Sequence, residues 1–169
     1  MNFPDFIRAH NQAGDPALYD IENEAIDREG VLWAALRAQA PWQGKVLVDL
    51  GCGSGFWLSR YSGAATVIGV EPDPALVSLA EQRAGGARVL PGAAEHTPLE
   101  DASVDVVHAR FAYFFPHPRF DPTAGLTEVG RVLKPGGSLV VVDNDTEAGE
   151  FADLLRASSW AAAQGADTE

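Results

Sequence analysis

A short, mostly apolar run at residues 46–50 leads directly into a loop, residues 51–55, that has glycine at every second position. Because the run is apolar on both faces and rich in β-branched residues, it is typical of a strand buried inside a parallel sheet. The backbone N–H groups of a glycine loop that opens a helix can approach a ligand closely. This feature predicts a buried parallel strand with a ligand-binding loop at its carboxyl end.

Strands and helices alternate along the rest of the sequence. Further strands are predicted at residues 66–70, 87–90, 104–108 and 138–143. Helices are predicted in the first forty residues with a break near Gly30, at residues 56–61, after Pro74, after Asp121 and Pro122, and at residues 150–163. The alternation predicts an α/β sandwich with a mostly parallel sheet and right-handed crossovers. We expect two parts, a helical cap of residues 1–43 and a ligand-binding domain of residues 44–169.

The charge balance narrows the range of partners. Twelve basic residues against 24 acidic ones give a formal net charge of −12. Such a chain repels nucleic acid phosphates and anionic membranes, so neither is predicted as a partner. The single Cys52 forms no internal disulfide and no cysteine-based zinc site, and no metal site is predicted. With no long apolar run and no signal peptide at the start, a cytoplasmic location is the expectation.

Two carboxylates flank the glycine loop. Asp49 stands two positions before Gly51, and Glu71 follows the second predicted strand, where an acidic side chain can bind ribose hydroxyls. The loop has the spacing G-x-G-x-G, with Phe56 where a dinucleotide-binding loop has a small residue. Asp49 would also repel a pyrophosphate, which disfavours an NAD-dependent oxidoreductase. A cationic ligand such as S-adenosylmethionine suits the acidic rim of Asp49, Glu71 and Glu95.

Four motifs in order resemble those of the class I S-adenosylmethionine-dependent methyltransferases, of the small-molecule type. They are residues 46–55, similar to motif I; 67–73, similar to the acidic loop after strand two; 92–107, similar to the segment leading into strand four; and 128–137, similar to the helix and turn before strand five. The resemblance covers roughly residues 44–145 and implies a doubly wound, Rossmann-like three-layer sandwich.

The resemblance also implies which positions bind the cofactor. Asp49, Gly51, Cys52 and Gly53 would line its methionine portion. Glu71 would bind the ribose hydroxyls, and Pro72 would cover one face of the adenine. Ala94 and Glu95 lie in the loop that approaches the adenine amine. Ala93 stands where many members carry an acidic residue, and Glu95 is the candidate to replace it.

His108, at the end of the fourth predicted strand, is the candidate catalytic residue. Methyl transfer from a sulfonium depends chiefly on alignment, and a general base helps only when the acceptor must lose a proton. His108 is either that base or a residue that lines the cofactor pocket or hydrogen-bonds the backbone. Arg110 is interpreted as a surface ion pair rather than a site for an acidic substrate. The aromatic residues that follow it either wall an apolar pocket or pack beneath the next helix.

The predicted function is methyl transfer from S-adenosylmethionine to a small-molecule acceptor. A noncatalytic S-adenosylmethionine-binding protein and, less favoured, an NAD-dependent oxidoreductase remain the alternatives. The family fold has two more strands after strand five, and the residues that follow are too few to form them. We therefore expect a C-terminally incomplete domain with an exposed strand-five edge, which a second copy of the chain is a candidate to cover.

Overall fold

The computed structural model describes residues 16–114 and 122–143, and within them five parallel strands form one sheet in the order β3-β2-β1-β4-β5. The strands are β1 Val46–Leu50, β2 Thr66–Glu71, β3 Arg88–Pro91, β4 Val104–Arg110 and β5 Leu133–Val142. The helices are α1 Pro16–Ile26, α2 Val31–Gln39, α3 Pro74–Arg83 and α4 Thr123–Val132. The predicted strand order along the chain is confirmed. Asp121, after which a helix was predicted, and the helix predicted at residues 150–163 lie outside the described residues.

Apolar clusters on both faces of the sheet make the fold a three-layer sandwich. Successive strand residues point to opposite faces. Val48 and Val107 therefore pack on one face with Val129 of α4, while Leu47 packs on the other face with Leu36 of α2. The predicted α/β/α architecture is confirmed. Among the described residues, no helix combines the length and apolar character needed to cross a membrane.

Two connections differ from the prediction. The expected helix at residues 56–61 is only a 3₁₀ turn, Leu58–Arg60, because its backbone N–H groups bond to carbonyls three residues back, as Arg60 does to Trp57 at 2.9 Å. β5 begins at Leu133 rather than at Ser138, and residues 134–137 bulge outward between two register positions. The Lys134 ammonium group anchors this bulge by donating to both carboxylate oxygens of Asp105 at 2.9 Å.

The N-terminal helices break at Gly30 as predicted, but the apolar side chains of α1 and of the first residue of α2 do not face the core. Leu18, Ile21 and Val31 are 60%, 62% and 69% exposed. The buried side chains of α1 and of the turn that follows it are polar. Asn23 contacts the segment after the glycine loop, and the Asp27 carboxylate accepts the N–H groups of the first turn of α2 at 2.9 Å. Helical periodicity indicated the helices, but hydrogen bonds rather than apolar burial orient α1.

Glu128 fastens α4 to the loop that follows β3. Its Oε1 accepts from the Thr97 N–H at 2.7 Å and from the Thr97 hydroxyl at 2.6 Å, and both of its oxygens accept from Arg131. The hydrogen bonds from Arg131, with those from Thr97, lower the pKa of Glu128 to about 2. The carboxylate is thus a structural anchor between two sequence motifs.

Replacing this anchor, in Glu128→Gln, should lower the free energy of unfolding at pH 7 by about 1–3 kcal/mol. Because the folded pKa lies below the ordinary value of 4.5, the stabilisation is present above pH 4.5 and is lost as the pH falls through about 2. Urea unfolding should show a smaller difference in the free energy of unfolding between Glu128→Gln and wild type at pH 4 than at pH 7. Glu24→Gln, at an exposed helix position, is the control. Equal stability of Glu128→Gln and wild type at pH 7 would contradict the assignment.

Candidate functional site

Four ionisable side chains meet on one face of the sheet at the carboxyl ends of its central strands. Asp49 of β1 pairs in register with His108 of β4, and Arg110 ends β4 two residues later. Glu71 ends β2 on the other side of β1. Alternation along the strands puts all four on the face that carries Leu47, under α1 and α2. Ligands of open α/β sheets bind at this kind of edge.

Asp49 and Arg110 form a buried ion pair. Arg110 Nη2 donates to Asp49 Oδ2 at 2.8 Å, and the side chains are 6% and 1% exposed. The interpretation of Arg110 as a surface ion pair was therefore wrong, because β4 runs two residues further than predicted and carries Arg110 under α2. Burial raises the pKa of Asp49, and the adjacent guanidinium opposes that shift. Asp49 Oδ1 and Arg110 Nε have no hydrogen-bond partner among the described residues.

His108 is completely buried beside this pair. Its Nδ1 lies 3.3 Å from the Tyr61 hydroxyl, and its ring meets that of Trp42 edge to face at 5.6 Å. Burial, with the charge of Arg110, lowers the pKa of His108 to about 4, so the imidazole is neutral at physiological pH. Nε2 has no partner within the described part of the chain. The geometry suits a residue that lines the site, and a catalytic role stays a prediction.

An aromatic cluster encloses the ion pair from the side of α2. Trp33 and Trp57 stack at 5.6 Å, and the Arg110 guanidinium lies 4.8 Å from the Trp57 ring and 5.9 Å from the Trp33 ring. Trp57 and Tyr61 were not predicted as residues of the site, because their neighbours come from elements distant in the chain. The available signal was a tryptophan two residues after a ligand loop.

Helix α1 crosses the glycine loop. A Cβ placed on Gly53, whose φ is +56°, would lie 2.6 Å from the Tyr19 hydroxyl. The Asn23 carboxamide oxygen accepts the Trp57 indole N–H at 2.9 Å, and Asp20 binds Arg83 of α3 at 2.7 Å. The narrow gap between Gly53 and Tyr19 therefore depends on the absence of a side chain at Gly53.

Gly55 gives the loop its close approach to α3. A Cβ at this position would lie 2.8 Å from the backbone of Ala80. Gly55 thus makes the close packing that a dinucleotide-binding loop makes one residue later, where this chain has Phe56. Cys52 turns its side chain into the core against Leu58 and Ala80, so that only its backbone faces the loop's outer side. Burial raises the pKa of its thiol.

The Glu71 carboxylate supports the loop from below. It accepts the N–H of Gly53 at 2.9 Å and that of Asp73 at 3.0 Å, and it is 2% exposed. Burial raises the pKa of Glu71 to about 7, although the two N–H groups favour the charged form. Each carboxylate oxygen keeps a lone pair for a further donor such as a ribose hydroxyl.

This raised pKa makes stability depend on pH. The folded pKa of about 7 exceeds the ordinary value of 4.5, so the folded state holds the proton more tightly. The resulting stabilisation is present below pH 4.5 and is lost as the pH rises through about 7. Wild type should therefore lose on the order of 2–3 kcal/mol relative to Glu71→Gln between pH 5 and pH 8. Urea unfolding across this range, with exposed Glu100→Gln as the control, measures the difference; parallel profiles would contradict it.

The predicted adenine-side residues surround the end of β2. Pro72 is half-buried directly after Glu71, and the Gly92 N–H donates to the Glu71 backbone carbonyl. Ala94 is buried in the core cluster, whereas Glu95 is half-buried in the turn closed between Ala93 and His96. Glu95 thus provides the carboxylate of this turn.

The segment after β4 is strained. Phe111 and Tyr113 have φ values of +49° and +59°, in the left-handed region that side chains other than glycine rarely adopt. Tyr113 and Phe114 pack against the core, whereas Phe111 is 37% exposed beside the site. Positive φ values of this kind cluster at functional sites. Phe115 and His117 lie outside the described residues.

A separate groove of about 420 Å³ lies at the opposite end of the sheet, at the amino ends of β2 and β3. Its lining includes Ser62, Thr66, Gly86 and Arg88. The ionisable cluster described above is not part of it. The buried ionisable side chains and the glycine loop lie at the carboxyl ends of the strands, and we place the candidate site there.

A parallel sheet, a glycine loop after the first strand and a buried carboxylate after the second define an α/β protein of the nucleotide-cofactor-binding class. The sequence profile of the methyltransferase domain family matches residues 48–141, more than half of the chain. The chain belongs to this family. It is a family of enzymes, and its cofactor is S-adenosylmethionine. The resemblance inferred from the four motifs is confirmed.

Individual relatives differ in what they act on. The chain is 35% identical over 136 residues to the tRNA U34 carboxymethyltransferase of Methylococcus capsulatus, covering 73% of this chain and 40% of that protein. It is 31% identical over 129 residues to the fatty-acid O-methyltransferase of Mycolicibacterium smegmatis, covering 72% and 46%. A SAM-dependent methyltransferase from Thermotoga maritima matches with a TM-score of 0.64 and 26% identity, covering 84% and 65%. The chain thus spans less than half the length of these two curated relatives.

Proposed function

We propose that this chain binds S-adenosylmethionine at the carboxyl ends of β1 and β2 and transfers its methyl group to a small-molecule acceptor. The observation that carries the proposal is the pair of buried carboxylates, Asp49 and Glu71, on one sheet face beside a glycine loop. Asp49 Oδ1 is a buried acceptor without a partner among the described residues. An ammonium group would satisfy it.

The residues present fit this cofactor. Asp49 would bind the ammonium group, and Glu71 would bind the ribose hydroxyls with its remaining lone pairs. Gly51 and Gly53, with the backbone of Cys52, would leave room for the methionine portion. Pro72 and the turn that carries Ala94 and Glu95 would contact the adenine. Residues 1–43 would form a helical cap over residues 44–169.

When bound, the cofactor supplies an electrophilic methyl group on sulfur with a good leaving group. The chain's own contribution is then to hold donor and acceptor in line and to exclude water. The aromatic cluster of Trp33, Trp57 and Tyr61 supports the second task, because it covers the site from the side of α2. His108 as a general base stays a prediction; its pKa of about 4 would make it a weak one.

The charge of the chain supports a small acceptor rather than a nucleic acid. A net charge of −12 opposes the approach of a phosphate backbone. One relative acts on tRNA and another on a fatty acid, so the family accommodates both kinds of acceptor. We favour the small molecule for this chain.

The test begins with calorimetric titration of S-adenosylmethionine, S-adenosylhomocysteine and NAD into the protein. Binding of both sulfur nucleotides without NAD is expected, and the reverse would overturn the proposal. Transfer of labelled methyl from S-adenosylmethionine is then measured with carboxylic acids, amines, phenols and bulk tRNA as acceptors. Transfer to tRNA alone would replace the small-molecule acceptor. Binding without transfer to any acceptor would support a noncatalytic binding protein.

A further inference from the structure

The buried ion pair of Asp49 and Arg110 leaves one buried polar atom of each side chain without a hydrogen bond among the described residues. The pair uses Asp49 Oδ2 and Arg110 Nη2. Asp49 Oδ1 and Arg110 Nε have no partner within residues 16–114 and 122–143, although both side chains are more than nine-tenths buried. Buried polar atoms are normally hydrogen-bonded, and each exception calls for an explanation. Of these two unpartnered atoms, Asp49 Oδ1 is an acceptor on an anion, and Arg110 Nε is a donor on a cation.

The charges of the pair restrict what can satisfy both atoms. The pair is neutral as a whole, so a ligand with a single net charge would leave a buried charge unbalanced. A zwitterion brings a cationic donor for Asp49 Oδ1 and an anionic acceptor for Arg110 Nε. An α-amino acid group carries these two functions two bonds apart on one carbon.

The surroundings hold Arg110 in place for such a ligand. Its guanidinium lies 4.8 Å from the ring of Trp57, which itself stacks on Trp33. Stacking on aromatic faces fixes the plane of the guanidinium and leaves its edge to donate hydrogen bonds. Asp49 and Arg110 lie on adjacent strands, and the glycine loop begins two residues after Asp49.

We propose that Asp49 and Arg110 together bind the amino-acid end of the cofactor, with Arg110 as the residue that selects for its carboxylate. The inference rests on the proposed function, since it concerns the same cofactor. It makes Arg110 a binding and specificity residue.

The experiment compares two ligands by calorimetry, S-adenosylhomocysteine and its decarboxylated analogue 5′-(3-aminopropylthio)adenosine. Wild type should bind S-adenosylhomocysteine about tenfold or more tightly, because a site built to hydrogen-bond a group rejects the analogue that lacks it. In Arg110→Gln this preference should disappear or reverse. Binding of both ligands to wild type with affinities within twofold would overturn the inference and leave the proposed function standing. Binding of neither would overturn both.

Arg60→Gln is the matched control, because Arg60 stacks on the same Trp57 ring at 4.2 Å without contacting Asp49. This variant should keep the preference for the carboxylate. The double variant Asp49→Asn, Arg110→Gln removes both buried charges and serves if the single variant does not fold. Its preference should be lost as well, with folding checked by circular dichroism. A preference retained in the double variant, or lost in Arg60→Gln, would assign carboxylate recognition elsewhere.

Discussion

Replacing Gly53 with leucine should reduce the affinity for S-adenosylhomocysteine by about a hundredfold or more. The gap between the glycine loop and α1 is so narrow that even a Cβ on Gly53 would lie 2.6 Å from the Tyr19 hydroxyl. A leucine side chain would fill the space that the methionine portion needs, and overfilled sites lose several kcal/mol of interaction. Calorimetric titration measures the loss directly.

In Gly53→Leu, the effect of backbone strain on stability must be distinguished from the loss of cofactor affinity. Gly53 has a φ of +56°, where a side chain costs roughly 1–2 kcal/mol of stability. Gly44 has a φ of +70° with no atom within 4 Å of an added Cβ, so Gly44→Leu carries similar strain away from the site. It should lose stability and keep its affinity. An affinity of Gly53→Leu within threefold of wild type would mean that the cofactor does not bind at this loop.

Breaking the ion pair of Asp49 and Arg110 should cost about 3–5 kcal/mol of folding stability, the largest single effect expected. Arg110→Met leaves the Asp49 carboxylate buried without a counter-charge. Asp49→Asn likewise leaves the Arg110 guanidinium buried without a counter-charge. The double variant Asp49→Asn, Arg110→Met should be destabilised by clearly less than the sum of the two single variants, since it buries no unpaired charge. Urea unfolding of all four proteins gives the coupling energy.

A second ion pair in the same protein provides the control. Asp20 and Arg83 are joined at 2.7 Å, almost the same distance, but their side chains are 28% and 32% exposed. The equivalent cycle with Asp20→Asn and Arg83→Met should give a coupling energy of about 0–1 kcal/mol. Similar coupling energies for the two pairs would show that burial does not determine the strength of the inner pair.

The site residues that could be predicted are those that belong to motifs of consecutive residues. Asp49 lies within one apolar, β-branched run, and Glu71 directly follows another. The two runs form adjacent parallel strands, whose carboxyl ends align, so that both carboxylates lie at the same edge of the sheet. The same reasoning predicted all five described strands and the three layers. Their roles toward the cofactor remain proposals.

The missed part depends on contacts between distant residues. Arg110 meets Asp49 across 61 positions of the chain, and Trp57 meets Asn23 across 34. Such pairs follow from the strand register and from the way α1 lies on the loop, neither of which periodicity determines. Leu18 and Ile21 of α1 are a further example, because apolar periodicity indicates a helix face without indicating which neighbour it meets, and both side chains face water.

The attachment of α1 has a consequence for local stability. Its described anchors are polar, such as the contacts of Asp20 with Arg83 and of Asn23 with Trp57, while Leu18 and Ile21 already face water. We therefore expect detachment of α1 to expose little additional apolar surface and to have a lower opening free energy than unfolding of the sheet. We expect the helix over the glycine loop to behave as a separate cooperative unit that exchanges its amide protons while the sheet stays folded.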